Sequence, residues 1–171
     1  PSGSGFVVFQ KPLSQEGQEK VLFESPATAQ SIPLDWSLDG RYLLCRAGSP
    51  QGWNLDVVPL DEPDKPFRVV QSAFNVGEGQ FSPDGRWIVY ESSESGRYEI
   101  FVQPVLGAGT KSQVSTGGGL QVRWRSDGRE IFYVAPDGRL MAVPVSFAAN
   151  GQEIKLGAPA PLFMTRVEST R

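Results

Sequence analysis

The nearest approach to a phosphate-binding loop in this chain is Gly107-Ala-Gly-Thr-Lys-Ser112. A Walker-type loop needs glycine directly before the lysine, so that backbone amides can close on phosphate, and a helix after it. Here Thr110 takes the glycine position and a short strand follows, which predicts a hairpin loop. Asp61-Glu-Pro-Asp-Lys-Pro66 gathers three acids as a metal site would, yet its two prolines and its lysine make it a solvated turn. Histidine is absent, which removes the usual general base, zinc ligand and physiological-pH switch together. Without it a Ser-His-Asp triad is impossible, and no Gly-x-Ser-x-Gly occurs. The single cysteine, Cys45, cannot form an internal disulfide and reads as a small buried apolar residue. No catalytic, cofactor-binding or metal-ligating residue is assigned, and the chain is read as a non-enzyme.

The residues that do recur are structural. Asp39, Asp84 and Asp127, 45 and 43 residues apart, each stand three places after a large aromatic: Trp36, Phe81 and Trp124. Each is followed by Gly-Arg and a β-prone run, and Asp-Gly between apolar runs marks a hairpin because the turn needs positive φ. The aspartate caps the turn or tolerates its left-handed backbone, and the arginine begins an exposed strand flank. A fourth Asp-Gly-Arg spans Asp137 to Arg139. A period in the low forties with four short strands per unit points to propeller blades, and the repeated aromatics to packing between neighbouring blades.

These turns organise 171 residues, enough for one sizeable core, with 19 Gly and 14 Pro supplying the many connections of an all-β chain. Helix prediction is nearly empty, because Gly or Pro interrupts almost every 3.6-periodic candidate. The opening Pro1-Ser-Gly-Ser-Gly5 lacks Met and reads as a cut within a longer protein. The fold expected is a partial β-propeller of about three and a half four-stranded antiparallel blades. It divides into a partial blade at 1–31, full blades at 32–74, 75–118 and 119–157, and a closing strand at 158–171. Ser4–Pro12 aligns with Ser95–Pro104, so the opening segment carries only the last two strands of a blade. The apolar tail at 158–165 is expected to supply the innermost strand of a shared blade.

Phe81-Ser-Pro-Asp-Gly-Arg-Trp-Ile-Val-Tyr90, followed by Tyr98-Glu-Ile-Phe-Val102, resembles the TolB-type propeller repeat. Trp124–Tyr133 and Trp36–Leu44 are similar, with Ser126 and Leu38 in place of the proline. Gln113–Gly119, Arg123-Trp-Arg125, Leu140–Val145 and Pro161-Leu-Phe163 resemble the closing blades of the propeller in some bacterial membrane-anchored serine/threonine kinases. Related blades occur in propellers attached to prolyl-oligopeptidase-type hydrolases. The resemblance implies a six- or seven-bladed parent and a periplasmic or extracytoplasmic location. No kinase element is present: the glycine-rich loop with its lysine strand, His-Arg-Asp and Asp-Phe-Gly are all missing.

The function implied is a protein-interaction or sensory scaffold, or alternatively a propeller that gates a hydrolase. Repeats specify a scaffold, and activity sits on its loops and channel. Trp53 is read as lying in the loop Ser49-Pro-Gln-Gly-Trp53 and has no counterpart in the other units, which marks it as a candidate partner contact. The partner expected is a protein or peptide. A net charge of −3 leaves no electrostatic footprint for nucleic acid, and no apolar run is long enough for direct membrane insertion. No cofactor is implied. Open propeller edges predict self-association, two copies closing a ring.

Overall fold

The computed structural model describes residues 6–13, 17–25, 30–50, 52–107, 109–148 and 153–166. Fifteen strands and no helix form among them. A hairpin of β1 (Val7–Gln10) and β2 (Lys20–Glu24) comes first. The first full sheet is β3 (Ser31–Trp36), β4 (Tyr42–Ser49), β5 (Gly52–Pro59) and β6 (Phe67–Val70), hydrogen-bonded in chain order. The second is β7 (Val76–Phe81), β8 (Trp87–Ser92), β9 (Glu99–Pro104) and β10 (Ser112–Gln113), again in chain order. The third is β11 (Leu120–Trp124), β12 (Glu130–Val134), β13 (Arg139–Phe147), β14 (Ile154–Leu156) and β15 (Ala160–Met164). All pairings are antiparallel, as short connections between consecutive strands require.

The sheets stack face to face. Leu44, Leu55 and Val57 of the first pack against Val76, Ile88 and Tyr90 of the second. Trp87, Val89, Ile100 and Val102 of the second pack against Val122, Ile131, Tyr133 and Val143 of the third. Each β-strand turns alternate side chains to opposite faces, so a middle sheet must be apolar on both. Strand β8 meets that demand: all six of its residues are buried. The β1–β2 hairpin lays Val8 and Phe23 over Leu43, Cys45 and Val58 on the remaining face of the first sheet. Cys45 is fully buried there, and burial pushes its thiol up to about 11, which leaves it inert at neutral pH.

The Asp-Gly turns use one hydrogen-bond set. In the first sheet the Ser37 hydroxyl donates to Asp39 Oδ1 (2.7 Å), which also accepts from Arg41 N, while Arg41 Nε donates to Asp39 Oδ2 (2.7 Å). Ser82, Asp84 and Arg86 repeat every one of these contacts in the second. The glycines that follow sit at φ of 74° and 70°, where a side chain would be strained. In the third sheet Arg125 replaces the serine and pairs with Asp127 itself, at 3.4 Å.

One element departs from expectation. The tail, offered by its sequence as an innermost closing strand, instead runs along the outer edge of β13. Strand β13 is nine residues long, and β14 pairs only with Val145–Phe147. Its first half would remain an open edge, and β15 fills that edge from Arg139 to Ala142.

Candidate functional site

The first strand of each full sheet is its inner strand, and β3, β7 and β11 stand side by side. Their last residues occupy equivalent positions: Asp35-Trp36, Gln80-Phe81 and Arg123-Trp124. The carboxylate of Asp35 accepts a hydrogen bond from the backbone N–H of Phe81 at 2.8 Å. The side-chain oxygen of Gln80 accepts from the backbone N–H of Trp124 at 2.7 Å. One position therefore ties each sheet to the backbone of the next. Arg123 has only donors and cannot continue the series. It turns back instead, donating to Glu78 Oε2 at 3.0 Å and to the carbonyl of Val122 at 2.7 Å.

A cleft of about 300 Å³ opens where these strands end. Its lining comes from matching positions: Trp36, Phe81 and Trp124 at the strand ends, and Leu38, Pro83 and Ser126 of the turns. Phe81 and Trp124 are buried between sheets, as predicted for the repeated aromatics. Trp36 is 38% exposed and Leu38 lies wholly on the surface, so the cleft offers accessible apolar area beside the polar Asp35 and Gln80. Burial raises the Asp35 carboxyl above its ordinary value, against the opposing pull of the Phe81 and Trp36 amides and the Arg123 charge. The site can hold a partly apolar group and offer it hydrogen-bond acceptors. None of its residues forms a nucleophile–base pair.

A second polar feature lies at the opposite end of the strands, between the second and third sheets. Glu91 and Glu99 are each 1% exposed. Glu99 Oε1 accepts from the Gly118 amide (2.9 Å) and Arg97 Nε (3.1 Å), and the Ser115 hydroxyl donates to Oε2. Glu91 Oε1 accepts from the amide of Gln121 at 2.6 Å, and Gln121 sits at φ 56°, the one non-glycine residue at positive φ among those described. Gly77 leaves room for this carboxylate, since a Cβ there would collide with Glu91 Oε2. This is a connector of two buried carboxylates, held by the backbone amides of Gly118 and Gln121 together with the Ser115 hydroxyl and the Arg97 guanidinium.

The residues singled out from sequence are dispersed. Trp53 lies on β5, opposite Gly48, rather than in a loop. It is half-buried, packs on the core between the first two sheets, and carries the Arg46 guanidinium 4.5 Å above its ring. The strand takes in Trp53 because Gly48–Trp53 and Ser49–Gly52 pair at the end of the β4–β5 hairpin. Pro1–Gly5 lie outside the described residues, as does Ala108 of the 107–112 loop. In the rest of that loop Lys111 donates to Glu94 at 2.5 Å and sits over the Phe101 ring. In the 61–66 turn Lys65 pairs with Glu62 at the surface. No group of three or more Cys, Asp or Glu among the described residues is placed to hold a metal ion. Sequence reasoning missed Asp35, Gln80, Glu91 and Glu99. For the first two a signal existed, an acceptor side chain just before the repeated aromatic in two consecutive units.

Comparison with solved structures decides the architecture. TolB from Acinetobacter baumannii matches over 88% of this chain and 37% of its own, at TM-score 0.65 and 17% identity. The fold is a partial β-propeller. A protein assigned as TolB from Agrobacterium tumefaciens matches over 93% of the propeller segment and 62% of its own chain, at TM-score 0.61 and 17% identity. A prolyl endopeptidase matches over 90% and 26%, at TM-score 0.57 and 14% identity. The segment thus spans less than two thirds of each of these proteins. No family model matches the sequence. No curated protein matches it either. The four-stranded sheets are blades, and the cleft lies at one end of their inner strands.

Proposed function

We propose that this segment is a non-catalytic interaction scaffold of a larger bacterial protein, and that it takes an extended stretch of a partner polypeptide into the cleft at the inner-strand ends. The observation that carries the reading is the cleft itself, assembled from the same positions of three blades, with Trp36 and Leu38 accessible beside the acceptors of Asp35 and Gln80. An exposed tryptophan next to hydrogen-bonding groups suits a peptide, whose side chains bury while its backbone amides find acceptors. The parent suggested by the closing-blade motifs is a membrane serine/threonine kinase, with this segment as its extracytoplasmic sensor. Selection from a displayed peptide library, followed by titration of the winners, tests the cleft. Trp36→Ala is expected to weaken binding at least about tenfold. Trp53→Ala, at a site packed away from the cleft, is expected to leave it unchanged. Binders insensitive to Trp36→Ala would remove the cleft from the proposal.

A second reading, a propeller framing a hydrolase active site, is favoured by the likeness to a prolyl endopeptidase. The two diverge in gene context. A kinase domain and membrane span beside this segment support the sensor, and a Gly-x-Ser-x-Gly domain supports the hydrolase.

A further inference from the structure

The first and second blades use one buried position differently. Asn54 of β5 stands opposite Ala47, and Glu99 of β9 stands at the matching place opposite Ser92. Asn54 is 2% exposed and Glu99 1%. Each accepts a backbone amide of the crossover into the next blade, Asn54 Oδ1 from Ser72 at 3.1 Å and Glu99 Oε1 from Gly118 at 2.9 Å. Glu99 also takes Arg97 Nε at 3.1 Å and the Ser115 hydroxyl, so its carboxylate is fully engaged. Asn54 is one methylene shorter, and its second polar atom is a donor. Because Oδ1 must face the Ser72 N–H, Nδ2 is fixed as the other end of the amide. That Nδ2 meets no acceptor among the described residues.

Beside Asn54 the first blade has a pocket of about 210 Å³, lined by Ser49, Asn54, Arg68, Gln71, Ser72 and Ala73. The lining runs from the end of β4 through β5 and β6 into the crossover, all within one stretch of the chain. Arg68 follows an irregularity in the β5–β6 pairing, a feature that re-aims side chains. Its Nε and Nη2 donate to the two oxygens of Asp56 at 2.8 and 3.2 Å. This fork fixes the guanidinium plane and leaves Nη1 without an acceptor among the described residues. The Ser72 hydroxyl accepts from the Phe74 amide at 3.0 Å and keeps its own hydrogen to donate. Three donors therefore line the pocket, and a buried amide with unmet N–H groups is costly unless a partner completes it. Asp56 already offsets most of the arginine charge, so a planar monoanion suits the site better than a phosphate dianion.

We propose that this pocket binds a carboxylate, which accepts from Asn54 Nδ2, Arg68 Nη1 and the Ser72 hydroxyl. The ligand supplies to the first blade the carboxylate that Glu99 builds into the second. The pocket lies at the opposite strand ends from the cleft, and its occupation does not depend on what the cleft takes.

Nuclear magnetic resonance of the nitrogen-15-labelled chain tests the proposal, because it reports on the Asn54 side-chain amide directly. The probes are sodium acetate and N-acetylated trialanine with a free C-terminal carboxylate. The controls are the C-terminal amide of the same peptide, sodium phosphate and sodium chloride at equal ionic strength. Saturable shifts of the Asn54 side-chain amide and the Ser72 backbone amide are expected with the carboxylates. Equal affinity for acetate and peptide assigns the site to free small carboxylates, and affinity at least about tenfold higher for the peptide assigns it to a polypeptide C-terminus. Asn54→Asp keeps the acceptor for Ser72 and replaces the donor by a charge, so saturation should be lost. Arg68→Gln should weaken binding at least about tenfold, and it decides the matter if Asn54→Asp fails to fold. The absence of a saturable shift overturns the proposal. So does a chloride, phosphate or amidated-peptide titration that matches the carboxylates, or a folded variant that binds like the parent.

Discussion

The second and third blades face forward with the same kind of surface and a different fate. Val89, Ile100 and Val102 of the second are sealed against the third at 0% exposure, whereas Phe132 and Leu140, at two of the matching positions, are only half-buried. The residues differ little in hydrophobicity. What differs is the presence of a partner face, which determines how much apolar surface leaves water and so how much each residue stabilises the fold.

The comparison is broken or sharpened first by truncation. Ile100→Ala should cost about 2–5 kcal/mol, since it opens a cavity in a sealed seam. Leu140→Ala, at the half-buried match, should cost clearly less in the monomer. Urea unfolding of both variants decides it, and equal losses would mean that blade burial does not control stability.

Next in size is the side-chain tie between blades. Gln80→Ala leaves the Trp124 amide without its acceptor and should cost about 1–3 kcal/mol. Arg123→Ala, at the same position of the open blade, removes a half-exposed ion pair worth about 0–1 kcal/mol. Thermal melts of the two variants should rank in that order.

Asp35→Asn is a smaller and oppositely signed change. Burial raises the Asp35 carboxyl, so its contribution is fully present below the unfolded value of 3.8 and is lost as pH rises through the raised folded value. Asparagine keeps the acceptor for Phe81 and removes the charge. Its melting temperature at pH 7 should therefore equal or exceed that of the parent, and a clear fall would show that the charge itself is needed.

The turn carboxylates give the smallest effect, with the reverse sign. The Ser37 hydroxyl, followed by the amide and guanidinium of Arg41, holds Asp39 down at about 2. Asp84 is also lowered: its partial burial opposes the shift, but Ser82 and Arg86 outweigh it. Their stabilisation is present above 3.8 and is lost as pH falls through the lowered values. Melts between pH 5 and pH 2 should thus decline less steeply for Asp39→Asn than for the parent. An unchanged slope would count against the turn network.

Much of the blade pattern was legible because it is local. Fifteen strands lie where apolar runs between Gly, Pro and Asp place them, with ends shifted by a few residues. The candidate site was less legible. Trp53 attracted notice for being unrepeated, yet its ring is held by Arg46 and the blade core. Asp35 and Gln80 escaped notice because their partners are backbone amides 46 and 44 residues away, which no local pattern displays. The tail was misplaced for the same reason: an extended apolar run can pair with any open edge, and only the length of β13 selects one.

The sequence by itself determined the blade unit. A turn of Asp and Gly, the Arg after it and the alternation of the following strand are set by φ, by short hydrogen bonds and by side-chain period, all within about ten residues. Tertiary structure alone decided which blade faces are sealed, which inner-strand side chains bridge blades, where the tail docks and where the cleft opens. Those outcomes depend on contacts between residues about forty positions apart, whose strength comes from the water they exclude together and is absent until the blades are stacked.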